Sequence, residues 1–474
     1  MQTETKKLLI KTGIFTVLGF IIMSAGFWIS AYSNLLIGAI LSILSIAMYF
    51  YIVIFVAEKN WLDLRAIFSL VWFLTIGLAS LKLTAYQEEW QQMTWILLGL
   101  TFLVFQIGCL VAELVGEKIS DKLQKKLEKF KEGKVYFSEK GNRVFTVCVV
   151  TTAIGLICFI INVIIKGYIP CFSDSIYAYV NFYTKFHVFS VASTMACGLC
   201  YYCIKTYKIS KLQKIILWVC IFYLLILFPI MIVSRGVFVS VALYFTTVVF
   251  YLNKRKFTAL VLCLACIFAV YMGASELRNY TDSQLSNLFE PVEIKPGNDG
   301  DGGDEDITGE FSFVLSPKMA FLYGYLTVGH DNFNEAVENL EEYTYGTRTF
   351  APFNVILRSK KISDIASSVD DCYVRPHLNT YNFLGQFYFD FHEFGVIFLV
   401  LLSAFAAMFV QKMALRLKNT FLTLCLGVVF SVVFLVFFSN MACLFETWMF
   451  IGTISILCIA SSVHFSKRKT VNNA

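Results

Sequence analysis

Charge is what this sequence has least of. Asp, Glu, Lys and Arg make up 15% of its 474 residues against 58% hydrophobic residues, with a mean hydropathy of +0.68. So few charges cannot cover a water-soluble fold, and that class is excluded. The net charge of +6 does not argue for a nucleic-acid partner either, because the lysines and arginines fall in short stretches between apolar blocks rather than on one face. A cleavage pattern of small residues is missing after the first apolar block (12–31), so a removed signal segment is not expected there. Cysteine is plentiful at 14 residues, but its metal-binding company is absent. Cys197, Cys200 and Cys203, and the pair Cys263 and Cys266, lie mid-block without histidine or carboxylate neighbours and read as small apolar groups. Only Cys171, Cys372 and Cys443 are expected outside spans, and nothing in the spacing supports a bridge between Cys171 and Cys372. No internal repeat of the kind that builds inverted-repeat transporters is visible.

What is present is a series of apolar blocks of roughly 18 to 23 residues, about the length that crosses a bilayer core. They fall near 12–31, 34–56, 66–83, 93–115, 144–166, 186–204, 215–233, 237–252, 258–274, 391–411, 420–438 and 446–464. The expected fold is an all-α polytopic membrane protein of about twelve transmembrane helices. A large, partly helical non-cytoplasmic loop separates spans nine and ten. Residues 1–274 carry spans one to nine with a basic cytosolic loop (116–143), residues 275–390 the outer loop, and residues 391–474 spans ten to twelve with a basic tail. With both termini cytoplasmic, 27 of the 39 basic residues fall inside and four in short outer loops or span ends: Lys82, Lys166, Lys185 and Arg235. The other eight lie in the long outer segment, which the loop-charge rule leaves out. Within 116–143, Ile119, Leu123, Leu127 and Phe130 recur at helical spacing and predict an amphipathic helix on anionic headgroups.

Polar chemistry concentrates in the outer segment. Residues 297–310, GNDGDGGDEDITGE, are acidic and glycine-rich and predict a flexible excursion. As a calcium loop they fail, because glycine stands where the motif wants its fifth-position ligand and aspartate where it wants glycine. An apolar stretch follows at 311–328, then an amphipathic helix from Asp331 to Tyr343 with Phe333, Val337 and Leu340 as its buried stripe, together a lid over a cavity. Arg235 sits between two apolar spans and either snorkels to headgroups or serves a site. Arg348, Arg358 and Arg375 lie in a segment returning to the membrane, where guanidinium groups can bind a diphosphate by paired hydrogen bonds or simply be solvated.

Two stretches carry a family resemblance: GTRTFAPFNVILR (Gly346 to Arg358) and RPHLNTYNFLGQFYFDFHEFG (Arg375 to Gly395). With Ile169 and Pro170 after span five, the Ser-Arg-Gly at 234–236 and the large outer loop before the last three spans, the chain resembles the Wzy-type oligosaccharide repeat unit polymerases, the O-antigen polymerase family. The family's glycine after Asp-Phe is displaced here, with His392 and Glu393 preceding Gly395.

The resemblance implies a metal-independent glycosyl transfer without cofactor on the outer face of a bacterial cytoplasmic (inner) membrane. Polyprenyl-diphosphate-linked oligosaccharide serves as donor and acceptor, for O-antigen or capsule, with a chain-length regulator protein as a further partner. Arg235, Arg348 and Arg375 would stabilise the departing diphosphate. His377 would take the acceptor proton. Arg358, Tyr381 and Asp390 would bind substrate, although Tyr381 also suits an interfacial aromatic belt and Asp390 could either orient a base or cap span ten. An O-antigen ligase-like transferase is the neighbouring alternative. A lipid-linked oligosaccharide flippase is the alternative from another class, and would be expected to carry ionisable residues inside its spans.

Overall fold

The computed structural model describes residues 2–132, 141–173, 181–253, 257, 261, 315–353, 362, 364–365, 369–375 and 378–462. Regular structure is helical, with no β-strand among the described residues. In chain order the helices are α1 (Gln2–Ser24), α2 (Gly26–Tyr32), α3 (Asn34–Tyr51), α4 (Leu64–Ala79), α5 (Gln92–Glu132), α6 (Gly141–Lys166), α7 (Lys185–Ser193), α8 (Ala196–Thr206), α9 (Lys211–Phe222), α10 (Arg235–Leu252), α11 (Pro317–Asn339), α12 (Gly385–Leu417), α13 (Thr420–Phe434) and α14 (Phe445–Ser462). Single π-helical segments, Ile52–Val56 and Tyr223–Leu227, prolong α3 and α9.

Among the described residues eight stretches are long and apolar enough to cross a membrane: Asn34–Val56, Gln92–Lys125, Gly141–Lys166, Lys185–Thr206, Lys211–Met231, Arg235–Leu252, Gly385–Leu417 and Phe445–Ser462. Lys11–Ser24 and Gly26–Tyr32, bent by 45° at their junction, make a ninth if they form one span. This is a polytopic helical membrane protein. The apolar windows of Gly141–Lys166 and Asn34–Val56 are only 28% and 33% buried, so these helices present most of their side chains to lipid, whereas Lys185–Thr206 and Arg235–Leu252, each 78% buried, are surrounded by protein. Two blocks expected as spans form shorter helices. α4 has 16 residues and α13 has 15. At 1.5 Å per residue α4 covers only about 24 Å, less than a bilayer core. Its side chains are buried on nearly every side, so protein contacts set its length. The block at 258–274 apart from Val261, the excursion at 297–310, and Cys263 and Cys266 lie outside the described residues.

The chain divides into two compact units: residues 1–113, 280–408 and 432–445 form the first, and residues 114–279, 409–431 and 446–474 the second. In the first, α3 and α4 cross backbone to backbone at Gly38 and Gly77, where a Cβ on Gly38 would stand 2.8 Å from the Gly77 carbonyl oxygen. Phe68 stacks on Phe105 with centroids 3.6 Å apart. Beside them Arg65, fully buried, donates from Nη1 to Glu113 at 2.8 Å and from Nε to Asp63 at 3.4 Å. Asp63 also caps α4 by accepting from the Arg65 and Ala66 amides.

In the second unit Tyr244 donates to the Met195 carbonyl at 2.9 Å, at the short break between α7 and α8. Ser210 and Gln213 form a capping box at the start of α9. The helix expected within 116–143 is found as the continuation of α5 to Glu132; residues 133–140 lie outside the described residues. Arg416 forks onto Glu117 and Asp121 of that extension, at 3.2 and 2.8 Å, and reaches Ser120 at 2.9 Å. Ile119 and Leu123 are exposed there; the side chains of Leu127 and Phe130 are outside the description. Cys171 and Cys372 are both free thiols.

Candidate functional site

The polar organisation of the first unit centres on α11. The sequence suggests an apolar stretch followed by a second helix from Asp331; the structure has one helix from Pro317 to Asn339. Its polar residues at 330–334 are buried as deeply as Phe333. Each is satisfied by a different segment, as buried polar groups must be. Asp331 accepts from Trp90 Nε1 at 2.9 Å, Gln87 Nε2 at 2.9 Å and Lys82 Nζ at 3.2 Å. Lys82 Nζ also lies 4.3 Å from the Trp90 ring centroid, a cation–π contact. Burial lowers the Lys82 pKa and raises that of Asp331, and the pair's mutual attraction opposes both shifts. Asn334 accepts from the Gln91 amide and Thr94 Oγ1, fixing the start of α5. Asn332 donates to the carbonyls of Leu378 and Thr380 and accepts from the Val374 amide, so it fixes the backbone at 374, 378 and 380.

His330 ties α11 to α4 and to the start of α12. Asn382 uses its Oδ1 to accept from the Leu384 amide, which turns its Nδ2 toward His330 Nδ1 at 3.1 Å. Thr75 spends its hydroxyl proton on the Val71 carbonyl and so accepts from His330 Nε2, at 2.9 Å. The network therefore assigns the neutral Nε2–H tautomer. Burial, helped by the Lys82 charge, lowers the His330 pKa to about 3. Close approach here needs Gly329: its carbonyl accepts from the Asn382 amide at 2.9 Å, and an added Cβ would stand 2.9 Å from that nitrogen.

A second clamp closes the loop 344–351 onto α12. Asp390 is fully buried. It accepts from Thr344 Oγ1 at 2.5 Å, the Arg348 amide at 3.3 Å and the Thr349 amide at 2.6 Å. The loop turns through left-handed backbone at Tyr345 and Gly346. Immediately after Asp390, α12 breaks at Phe391 and His392, where His392 has a φ of 46°. The displaced glycine of the sequence pattern thus coincides with a real break in the helix. Arg348 donates to the Asp371 carboxylate and to the Val369 carbonyl, and its guanidinium lies 3.9 Å from the Phe389 ring centroid.

Between these clamps is a cavity of about 590 Å³, wholly within the first unit. Arg348, Asp370, Asp371, Tyr373, Asn379, Thr380, Tyr381, Gln386, Phe389 and Cys443 are among its lining residues. Tyr381 is 5.0 Å from Tyr373 and 5.1 Å from Phe389, centroid to centroid, and its hydroxyl donates to the Cys372 carbonyl. Burial pushes both phenols and the Cys443 thiol up, so all three stay protonated and serve as donors rather than bases. The described residues include no cluster of three or more His, Cys, Asp or Glu suited to a metal ion.

No family model, curated protein or solved structure matches this chain. The chemistry of the site and the sequence motifs carry the functional reading.

Of the residues singled out in sequence, the structure brings Arg348, Tyr381 and Asp390 together, the first two on the cavity wall and the third behind it. Arg375 is exposed on the same stretch of chain. Arg358 and His377 lie outside the described residues. Arg235 belongs to the second unit, at the first position of α10, and is 6% exposed, which shows it packed inward rather than extended to solvent. Asp390 takes a role the sequence did not suggest, as acceptor for a loop some forty residues earlier. Sequence reasoning missed Lys82, Trp90, His330, Asp331 and Asn332, and also Asp371 and Gln386. The string Gly-His-Asp-Asn-Phe-Asn directly after an apolar stretch was the available signal, since ionisable groups beside apolar helix are costly unless partnered.

Proposed function

We propose that the protein polymerises polyprenyl-diphosphate-linked oligosaccharide repeat units into a surface polysaccharide, by glycosyl transfer on the outer face of a bacterial cytoplasmic membrane. In this reading twelve spans place both termini in the cytoplasm and residues 275–390 outside. One observation carries it. The two stretches of the polymerase resemblance, 346–358 and 375–395, are bound to each other: Asp390 of the second holds the Arg348 and Thr349 amides of the first, and Arg348 lies on Phe389. Motifs that are far weaker apart become one wall of one cavity.

The exposed Arg375, with Arg358 and His377 beside it in the proposal, faces the carrier: guanidinium groups stabilise the diphosphate as the sugar–phosphate bond breaks, and the imidazole takes the acceptor hydroxyl proton. The test is the glycan profile of a deletion strain. A ladder that collapses to one repeat unit supports the polymerase, and Arg375→Ala should reproduce the collapse with the protein still in the membrane. A normal ladder in the deletion strain refutes the reading.

A lipid-linked oligosaccharide transporter is favoured by one observation, the burial of Arg65 and Glu113 in the helical body. Arg65 is paired with both Glu113 and Asp63, an arrangement suited to locking helices together. Repeat units retained on the inner leaflet of the deletion strain would decide for the transporter.

A further inference from the structure

Two buried polar atoms on residues of the cavity wall have no hydrogen-bond partner: Nε of Arg348 and Oε1 of Gln386. One donates and the other accepts. A phosphate oxygen could satisfy the first but has no proton for the second, and an ammonium group has the opposite defect. A hydroxyl group answers both. Water supplies such a hydroxyl as well, but the cavity of about 590 Å³ has room for a whole ring beside the roughly 30 Å³ share of one water. Its other walls suit a ring bearing several hydroxyls. Tyr381, Tyr373 and Phe389 supply planar faces, and Asp370 and Asp371 supply acceptors. The charge balance also opposes an anion. Among the described residues Arg348 is the one cation on the wall, and it is already paired with Asp371, leaving Asp370 in excess.

We infer that this cavity is a saccharide subsite. It takes a pyranose ring of the glycan, whose hydroxyls meet Arg348 Nε and Gln386 Oε1, and the diphosphate is held elsewhere. The inference rests on the polymerase reading for the source of the sugar, and it moves Arg348 from the leaving group to the sugar.

The test uses the full chain in lipid nanodiscs prepared without sugar-headed detergent. Methyl glucoside, galactoside, mannoside and N-acetylglucosaminide are the probes, observed by saturation-transfer NMR, with inorganic pyrophosphate as competitor. At least one pyranoside should show transfer that millimolar pyrophosphate leaves unchanged. Gln386→Leu removes an acceptor that bonds nothing in the protein, and Arg348→Lys keeps a charge for Asp371 while losing Nε. Each should weaken pyranoside binding at least fivefold with an unchanged melting temperature. Absence of transfer for all four sugars, displacement by pyrophosphate, or unaltered binding in Gln386→Leu overturns the subsite. The two readings separate cleanly. A glycan ladder that requires the chain, with pyranoside binding unaltered in Gln386→Leu, keeps the polymerase and discards the subsite. Binding lost in Gln386→Leu, with an intact ladder in the deletion strain, does the reverse.

Discussion

Removing the Asp390 carboxylate should release the loop 344–351 while leaving the helical body standing. Asp390→Ala deletes the acceptor for Thr344 Oγ1, for the Thr349 amide at 2.6 Å and for the Arg348 amide at 3.3 Å. The last is too long to count for much. The other two are short bonds to a carboxylate, a class that contributes about 1.5–3 kcal/mol each. Because the loop borders a cavity that water can enter, the lower end of that range applies, and the loop's opening free energy should fall by about 3 kcal/mol. That is roughly two orders of magnitude in the opening equilibrium. Asp390→Asn can keep its Oδ1 on the Thr349 amide and turn its Nδ2 to Thr344 Oγ1, which can accept, so it should be the milder variant. Hydrogen exchange followed by mass spectrometry on peptides covering 342–353 reads the effect, with a peptide from α10 as internal control. Protection of the Thr349 amide within twofold of wild type in Asp390→Ala would show that something other than Asp390 holds the loop, and the link between the two motifs would fail with it.

Acid should act through His330. Its pKa is near 6.5 in the unfolded chain and about 3 in the fold, so between those values the unfolded chain binds more protons and stability falls as pH falls. The loss from this group is about 1.4 kcal/mol at pH 5.5. His330→Gln should flatten the fall in melting temperature between pH 7 and 5.5, and an unchanged slope would contradict the assignment. Arg65→Met leaves Asp63 and Glu113 buried without their cation and should cost about 3–5 kcal/mol. Adding Glu113→Gln should recover part of that, whereas strict additivity in the double-mutant cycle would show the pair to be uncoupled. Gly329→Ala must push α11 away from residues 381–382, and a drop of about 1–3 kcal/mol is expected from overpacking; a melting curve identical to wild type would deny the close approach.

The spans were readable in advance because lipid imposes a length and a composition that few other environments demand. Asn34–Val56, Gly141–Lys166 and Arg235–Leu252 lie close to their apolar blocks for that reason. α4 was less readable: its block runs to Leu83, but the helix stops at Ala79 and the chain turns through left-handed backbone at Lys82, because the Lys82 ammonium is drawn to Asp331. That partner lies 249 residues later, and local spacing carries no trace of it. The same holds for Asp390, recognisable as a carboxylate next to an aromatic run but not as the acceptor for Thr349.

Helix α11 shows why polarity misleads most here. Read with the rule for water-soluble helices, the polar residues at 330–334 belong on a solvated face with Phe333 buried opposite. The four cover about 200° of the helical wheel, wider than one face, and all are buried together with Phe333. When much of a protein's solvent is lipid, the surface gives a carboxylate or an amide no reward, and such groups are most stable when they find one another inside. Polar clusters beside apolar helix therefore predict a shared interior network, and the segments that network ties together, 81–94, 374–384 and the start of α12, are those that border the cavity or fix the residues that do. The density of polar groups in α11 is thus the sequence's best pointer to the site, although none of the four lines it.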